Sequence, residues 1–169
     1  SLFTEGDKTK GIIEEITPRH NYIVRRSVNL SKQTQIIAAN IDQAFLLITL
    51  NNPSTFFAFI DRFLITAQAY QIPVILLFNK IDIYNEDEIA EIEFMKSVYT
   101  MLDFSCYSIS CFNPDDVTLI ADLMREKSSM FSGHSGVGKS TLLNALSPDL
   151  RLRTAEISEQ HQQGQHTTT

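Results

Sequence analysis

The stretch that decides the fold is Ser132-Gly-His-Ser-Gly-Val-Gly-Lys-Ser140, taken together with Asn79-Lys-Ile-Asp82, which precedes it in the chain. The first stretch matches G-x-x-x-x-G-K-[ST], the pattern of a phosphate-binding loop. The second stretch is typical of a loop that reads guanine. In an ordinary GTPase the phosphate loop comes first and the guanine motif comes late. Because the order is inverted here, the two motifs predict a circularly permuted G domain.

The phosphate-loop motif predicts specific roles for its residues. Its glycines let the chain curl so that backbone N–H groups point at phosphates. A helix starting near Lys139 adds the positive end of its dipole. We expect the Lys139 ammonium to reach the β- and γ-phosphates as a catalytic group, and the Ser140 hydroxyl to bind Mg²⁺. A flexible Gly-Ser turn is the alternative. The predicted nucleotide-binding residues are Gly133, His134, Ser135, Gly136, Val137, Gly138, Lys139, Ser140 and Thr141.

The guanine motif follows the apolar run 74–78, which is typical of a strand buried on both faces of a parallel sheet. Ligands bind beyond the carboxyl ends of such strands. Asp82 is expected to accept hydrogen bonds from the ring N–H and exocyclic amine of guanine, which adenine does not offer. Asn79 would tie the loop, and the Lys80 stem would cover the ring. A solvated turn is the alternative. The predicted binding residues are Asn79, Lys80, Ile81 and Asp82.

A third nucleotide-binding element is expected one helix and one strand after the guanine motif, where the sequence is Tyr107-Ser-Ile-Ser110. A backbone N–H of this element usually contacts the guanine oxygen. Ser108, Ile109 and Ser110 are therefore predicted binding residues, although the same string is also typical of an ordinary strand end.

Composition and charge restrict the class of protein. The chain has 169 residues, 43% of them hydrophobic, and a formal net charge of −6. No apolar run approaches a membrane span, and no signal peptide is visible, so we expect a soluble, cytoplasmic, monomeric enzyme without a membrane contact. The negative charge argues against a generic nucleic-acid binder. Cys106 and Cys111 lack a cluster of further ligands and are expected to be buried or idle thiols, not a zinc site.

The predicted secondary structure changes character near residue 40. Upstream, short strands are expected at 11–16, 21–26 and 35–37, as a small all-β piece. Downstream, strands alternate with helices, which predicts βαβ units and a parallel sheet. The first helix is expected to be capped near Ser54. Its apolar face consists of Phe56, Phe59, Ile60, Phe63, Leu64 and Ala67. The expected strands are 44–50, 73–78, 105–110 and 128–131, and the expected helices are 54–71, 86–102, 114–127 and 139–146.

With these motifs in place, the chain resembles the ribosome-small-subunit-dependent GTPases, a circularly permuted family that acts in assembling the small ribosomal subunit. The matching strings are Ile13-Glu-Glu-Ile-Thr-Pro-Arg-His-Asn-Tyr22, Arg25-Arg-Ser27, Ile37-Ala-Ala-Asn-Ile-Asp-Gln43, Asn79-Lys-Ile-Asp82, Phe131-Ser-Gly-His-Ser-Gly-Val-Gly-Lys-Ser-Thr141 and Gly164-Gln-His-Thr-Thr-Thr169. The resemblance implies an α/β fold, a circularly permuted P-loop GTPase domain with a parallel sheet, preceded by a partial all-β OB-fold. Residues 1–38 would be the partial OB-fold and residues 39–169 the permuted G domain.

The resemblance also implies a mechanism. The chain would be a GTP-binding and GTP-hydrolysing switch in small-subunit assembly, with GTP or GDP and Mg²⁺ as cofactors. The small subunit and its rRNA would be partners, the rRNA through the OB-fold. His166-Thr-Thr-Thr169 would be the first switch, with a threonine, taken as Thr168, acting in catalysis and sensing magnesium and γ-phosphate. Residues 151–169 hold few apolar side chains and are expected to be loose until a triphosphate closes them over the nucleotide.

The sequence departs from the family pattern in ways that keep alternatives open. It contains no D-x-x-G switch, which in the family follows the first switch. The zinc-binding C-terminal domain of the family is also absent from it, so we expect the sequence to be part of a longer protein.

One alternative is an ATP-using P-loop enzyme, if the guanine motif is accidental. The other is an RNA-binding scaffold with a vestigial nucleotide site.

Overall fold

A computed structural model of the chain describes residue 13, residues 15–26 and 34–147, and the two short strands 157–158 and 163–164. By contacts the chain divides into two compact units, Ser1–Asn40 and Ile41–Thr169.

In the first unit, strands β1 (Tyr22–Arg26) and β2 (Thr34–Ala39) pair antiparallel. The register shifts between Ile23 and Val24, so this ladder contains a bulge. The strand predicted at 11–16 lies partly outside the described residues, and Ile13, Glu15 and Ile16 have no regular structure. The identity of this unit as part of an OB-fold stays a prediction.

The second unit is an α/β domain, as predicted. Its four central strands are all parallel and have the spatial order β5-β4-β3-β6. Parallel strands need crossover connections, and helices provide them here. The elements in chain order are β3 (Gln43–Ile48), α1 (Phe57–Ala69), β4 (Val74–Asn79), α2 (Glu86–Thr100), β5 (Ser105–Ile109), α3 (Pro114–Met124), β6 (Ser129–Ser132), α4 (Lys139–Leu146), β7 (Ile157–Ser158) and β8 (Gln163–Gly164).

The core of this unit lies against the central strands. Every residue of β3 is buried, as expected for a strand covered on both faces of a sheet. The rings of Phe45 and Phe131, on neighbouring strands, stack with centroids 4.9 Å apart. The buried cluster that carries the site consists of Phe45, Leu47, Leu77, Ile109, Cys111, Ile120, Val137 and Leu142. Because the four strands run in one direction, the loops that follow them meet at one edge of the sheet.

The predicted cap of the first helix is wrong. Helix α1 begins at Phe57, and Phe56 is its N-cap without a side-chain hydrogen bond. The preceding residues instead close the loop after β3, because the Thr55 N–H donates to the Thr49 carbonyl at 2.9 Å. Phe56 therefore lies outside the helix, with 72% of its surface exposed, and does not belong to the apolar face. Three residues of the predicted apolar face are buried, which confirms that part of the prediction: Ile60, Leu64 and Ala67.

Helix α3 ends three residues before the predicted end at 127. The backbone leaves the helical conformation at Arg125, whose ψ is 126°, and Glu126 follows in a left-handed conformation with φ of 58°. The Lys127 N–H then closes the turn on the Met124 carbonyl at 3.0 Å. Near the C-terminus, β7 and β8 pair antiparallel. Thr168 and the rest of the predicted switch at 166–169 lie outside the described residues.

Candidate nucleotide-binding site

The phosphate loop occupies residues 133–138, between the end of β6 and the start of α4. Two of its glycines are fixed by close neighbours as well as by positive φ angles of 144° and 102°. A Cβ on Gly133 would lie 2.6 Å from the Leu47 carbonyl oxygen, and a Cβ on Gly138 would lie 2.4 Å from the Asn79 Nδ2. Any side chain at these two positions would push the loop away from the sheet edge. The glycines therefore hold the loop backbone close to the strands that support it.

Val137 anchors the same loop in the core. Its side chain is fully buried, beside Leu142 of α4 and Ile109 of β5 in the buried cluster. An apolar contact therefore ties the loop to the core of the unit. Ser140 and Thr141 lie in the first turn of α4 and are partly exposed.

Lys139 places its ammonium group over the loop. Its Nζ donates to the carbonyl oxygens of Gly133 at 2.8 Å and of His134 at 2.6 Å. Burial lowers the pKa of Lys139 from its ordinary value. A cation held by two carbonyl oxygens of the loop in this way is placed to meet phosphate oxygens.

The guanine motif is bonded directly to the phosphate loop. Asn79, at the end of β4, is 2% exposed, and its Nδ2 donates to the Val137 carbonyl at 2.8 Å. The Cys111 thiol donates to the Asn79 Oδ1 at 3.2 Å. One amide therefore joins three loops of the sheet edge, after β4, β5 and β6. The structure thus brings together two motifs that are 58 residues apart at this hydrogen bond.

The rest of the guanine motif turns away from the core. Lys80 has a left-handed backbone with φ of 69°, and its Nζ donates to the Asn52 carbonyl at 2.6 Å. Burial lowers the pKa of Lys80. Ile81 and Asp82 begin a short 3-10 turn, Ile81–Ile83, and the Asp82 carboxylate is exposed. An exposed carboxylate is available to a ligand that carries two N–H donors.

The loop after β3 braces the guanine motif. The Leu50 N–H donates to the Tyr84 hydroxyl at 3.1 Å, and the Asn51 Nδ2 donates to the Glu88 Oε1 at 2.6 Å. Burial is the main cause that raises the pKa of Tyr84. These bonds, together with that of Lys80, fix the loop after β4 from the side of β3.

The third predicted element lies at the carboxyl end of β5, but all three of its residues make other contacts. The Ser108 hydroxyl donates to the Glu93 Oε1 at 3.1 Å, and the Ile109 side chain is fully buried in the core. The Ser110 N–H donates to the Asp116 carboxylate at 2.8 Å. Nucleotide contact by Ser108, Ile109 and Ser110 therefore stays a prediction.

Two side chains make contacts at the loop that the sequence did not predict, although His134 was predicted to bind nucleotide. Cys111 was expected to be buried or idle; it is 6% exposed and bonded to Asn79. Burial raises the pKa of its thiol to about 11. The His134 ring packs on the Phe59 ring of α1 with centroids 4.0 Å apart. Burial, followed by the charges of Lys139 and Arg62, lowers the pKa of His134. Local sequence patterns give no signal for either contact, because each partner is distant in the chain.

The site consists of a glycine loop that leads into a helix at the edge of a parallel sheet. This loop is hydrogen-bonded to an Asn-Lys-x-Asp element that precedes it in sequence. Together these features define a P-loop nucleotide-binding domain of the circularly permuted type. The chain matches the family model described as RsgA GTPase over residues 16–169, and it belongs to that family. Among the described residues, no three His, Cys, Asp or Glu side chains are grouped to hold a metal ion. No described helix has the length and apolarity that crossing a membrane requires.

Named relatives support the family assignment. The chain is 57% identical over 166 residues to the small ribosomal subunit biogenesis GTPase RsgA of Christiangramia forsetii, covering 98% of this chain and 53% of that protein. It is 55% identical over 163 residues to the protein of the same name from Flavobacterium johnsoniae, covering 96% and 50%. The chain therefore spans about half the length of these relatives.

Solved structures agree with this assignment. YjeQ from Thermotoga maritima superposes with a TM-score of 0.73 at 32% identity, covering 89% of this chain and 50% of that one. YloQ, described as a circularly permuted GTPase, superposes with a TM-score of 0.59 at 30% identity, covering 80% and 52%. The predicted fold class, a circularly permuted P-loop domain with a parallel sheet, is confirmed.

Proposed function

We propose that this chain is the guanine-nucleotide-binding part of a GTPase that acts as a switch in the biogenesis of the small ribosomal subunit. The observation that supports it best is the hydrogen bond from the Asn79 amide to the Val137 carbonyl, which joins a base-reading loop to a phosphate loop at 2.8 Å. Both curated relatives described above carry that function in their names. Since the chain spans about half of them, we assign the complete activity to a longer protein that contains it.

The residues of the site fit a magnesium-bound guanine nucleotide. The two positions at which a Cβ would collide, Gly133 and Gly138, let the loop backbone pack closely against Leu47 and Asn79, in the kind of curled loop whose N–H groups bind phosphate. In the proposed complex, Lys139 contacts the β- and γ-phosphates, and Asp82 accepts two hydrogen bonds from guanine. Ser140 and Thr168 would hold Mg²⁺, which when bound neutralises charge on the β- and γ-phosphates. Turnover further requires a D-x-x-G switch, which this sequence lacks.

The partners follow from the proposed class. The small subunit and its rRNA would bind the longer protein, with the first unit, as part of an OB-fold, contacting RNA through shape and backbone charge. We assign zinc only to a C-terminal domain outside this chain. The protein would work as a cytoplasmic monomer. The order of the motifs places the proposed switch at the C-terminal end of the G domain, so that γ-phosphate would reorder whatever follows residue 169.

Base choice is the first test of this proposal. GTP, GDP and ATP should be titrated against the protein, with Asp82→Ala as the variant and Asp122→Ala as the control. Asp122 is an exposed carboxylate on α3 that pairs with Arg125. We expect Asp82→Ala to weaken GDP binding by roughly 2–4 kcal/mol, as for a lost charged partner of two hydrogen bonds, and the control to leave it unchanged. Tighter binding of ATP than GTP by the wild type would favour the ATP-using alternative.

Coupling to the ribosome is the second test. Steady-state phosphate release by the full-length protein should rise when purified small subunits are added, and large subunits serve as the control. If nucleotide binds but neither particle changes hydrolysis, the assigned partner is wrong. If no nucleotide binds at all, the scaffold alternative with a vestigial site is favoured.

A further inference from the structure

Cys111 lies where the loops of the site meet. It lies two residues after the end of β5, is 6% exposed, and belongs to the buried cluster that also contains Val137 and Ile120. Its thiol donates to the Asn79 Oδ1 at 3.2 Å, and its sulfur lies 3.7 Å from the Gly138 carbonyl. The residue therefore touches both the guanine motif and the phosphate loop without belonging to either motif.

The hydrogen bonds of the Asn79 side chain require its amide oxygen and its amide nitrogen to point in particular directions. Its Nδ2 must face the Val137 carbonyl, since only the nitrogen end can donate there. That orientation turns Oδ1 toward Cys111, and a thiol is a donor that can satisfy it. Rotation of the amide by half a turn would set two oxygens against each other at Val137. A donor at position 111 therefore favours the orientation that ties the two loops together.

Burial keeps the thiol in the form that this role requires. The pKa of Cys111 is raised to about 11, mainly by desolvation, so the thiol stays protonated near neutral pH and remains a donor. No buried polar side-chain atom among the described residues lacks a hydrogen-bond partner. Removing the thiol would leave the buried Asn79 oxygen without this hydrogen bond. Rotation of the amide would not compensate, because it would break the bond from the amide nitrogen to the Val137 carbonyl.

We propose that Cys111 is a positioning residue of the nucleotide site: by holding the Asn79 amide in one orientation, its thiol locks the guanine loop to the phosphate loop and slows the release of guanine nucleotide. The inference rests on the proposed function, because it concerns the same site. In this inference the thiol acts through Asn79. Its effect should therefore show in the dissociation rate of GDP.

The experiment measures dissociation of a fluorescent GDP from the full-length protein by stopped flow. We expect Cys111→Ala to speed release about five- to thirtyfold, as for a buried acceptor left without its donor. Cys111→Ser, which keeps a donor, should stay within about twofold of wild type. If the alanine variant does not fold, Cys111→Val, which fills the space without a donor, replaces it.

Two control variants separate positioning from general destabilisation. Cys106→Ala removes the other thiol of the chain, whose sulfur contacts the Phe104 carbonyl at 3.5 Å and not the site. Ile120→Val loosens the same buried cluster without touching Asn79. Both should leave GDP release unchanged, even where the melting temperature falls.

The outcomes are distinguishable. Release from Cys111→Ala at the wild-type rate overturns the inference. Equally fast release from Cys111→Ser and Cys111→Ala also overturns it, because the serine keeps the donor. Fast release from Ile120→Val overturns it as well, because a loss of stability alone would then explain the effect. Failure of the wild type to bind GDP overturns the proposed function itself, before any variant is compared.

Discussion

Replacing Gly138 with alanine tests the contact between the phosphate loop and the guanine motif. The backbone at Gly138 has φ of 102°, where an alanine is strained by about 1–2 kcal/mol. The new Cβ would also lie 2.4 Å from the Asn79 Nδ2, so the amide must move. Moving it breaks the bond to the Val137 carbonyl, which is worth roughly 1 kcal/mol. We expect Gly138→Ala to lower the free energy of opening of this unit by about 2–3 kcal/mol, the sum of the strain and the lost bond.

A double-mutant cycle with Asn79→Ala divides this loss into its two parts. Once the amide is removed, the nearest remaining atom to the new Cβ is the Cys111 sulfur at 3.5 Å, an ordinary van der Waals contact. Only backbone strain should then remain, so in the Asn79→Ala background Gly138→Ala should cost about 1 kcal/mol less than in the wild type. Native-state hydrogen exchange of the buried β4 amides in the full-length protein gives each opening free energy. Additivity of the two single changes within about 0.5 kcal/mol would refute the argument.

Three further predictions concern catalysis, pH and the switch. Lys139→Ala should weaken GTP binding and abolish phosphate release by the full-length protein. The circular dichroism should stay unchanged, because the Lys139 ammonium bonds only carbonyls of the loop. Lys96→Ala, which removes an exposed ion pair on α2, is the control, and surviving turnover of Lys139→Ala would contradict the assignment. The pKa of His134 is lowered on folding, so the unfolded chain binds the proton more tightly than the folded chain does. The contribution of His134 to folding stability should therefore be fully present above about pH 6.5 and fall as the pH drops below it. His134→Gln should flatten that fall in melting temperature between pH 7 and pH 5, whereas an unchanged slope would place the effect elsewhere. Residues 155–169 should exchange hydrogen more slowly with a non-hydrolysable GTP analogue than with GDP, since Thr167–Thr169 are proposed to close over γ-phosphate; identical exchange in the two states would exclude a switch there.

The sequence by itself determined the class of fold because its signals are local. The apolar run Val74–Phe78 predicts a buried parallel strand, and the structure places it at the centre of the sheet, between β3 and β5. The glycine pattern from Gly133 to Gly138 predicts a curled loop before a helix, which is what lies between β6 and α4. The order of these two motifs was enough to predict the permutation, because chain order is a property of sequence alone.

Local signals also misled at one position. Ser54 has the chemistry of a helix cap, yet helix α1 starts three residues later at Phe57. Bonds between Thr55 and Thr49 hold the intervening residues in the loop after β3 instead. A cap preference worth about 1 kcal/mol yields to a buried loop that satisfies several backbone groups at once.

Only the tertiary structure decided how the site is held together. Asn79 and Val137 are 58 residues apart, Cys111 and Asn79 are 32 apart, and the Phe59 ring of helix α1 contacts the His134 ring of the phosphate loop. A hydrogen bond between distant residues leaves no periodic or spacing pattern in a single sequence, because it depends on which strands become neighbours in the sheet. The parallel order β5-β4-β3-β6 brings the loops after those strands to one edge, and there a buried thiol and a buried amide acquire roles that their residue types alone do not predict.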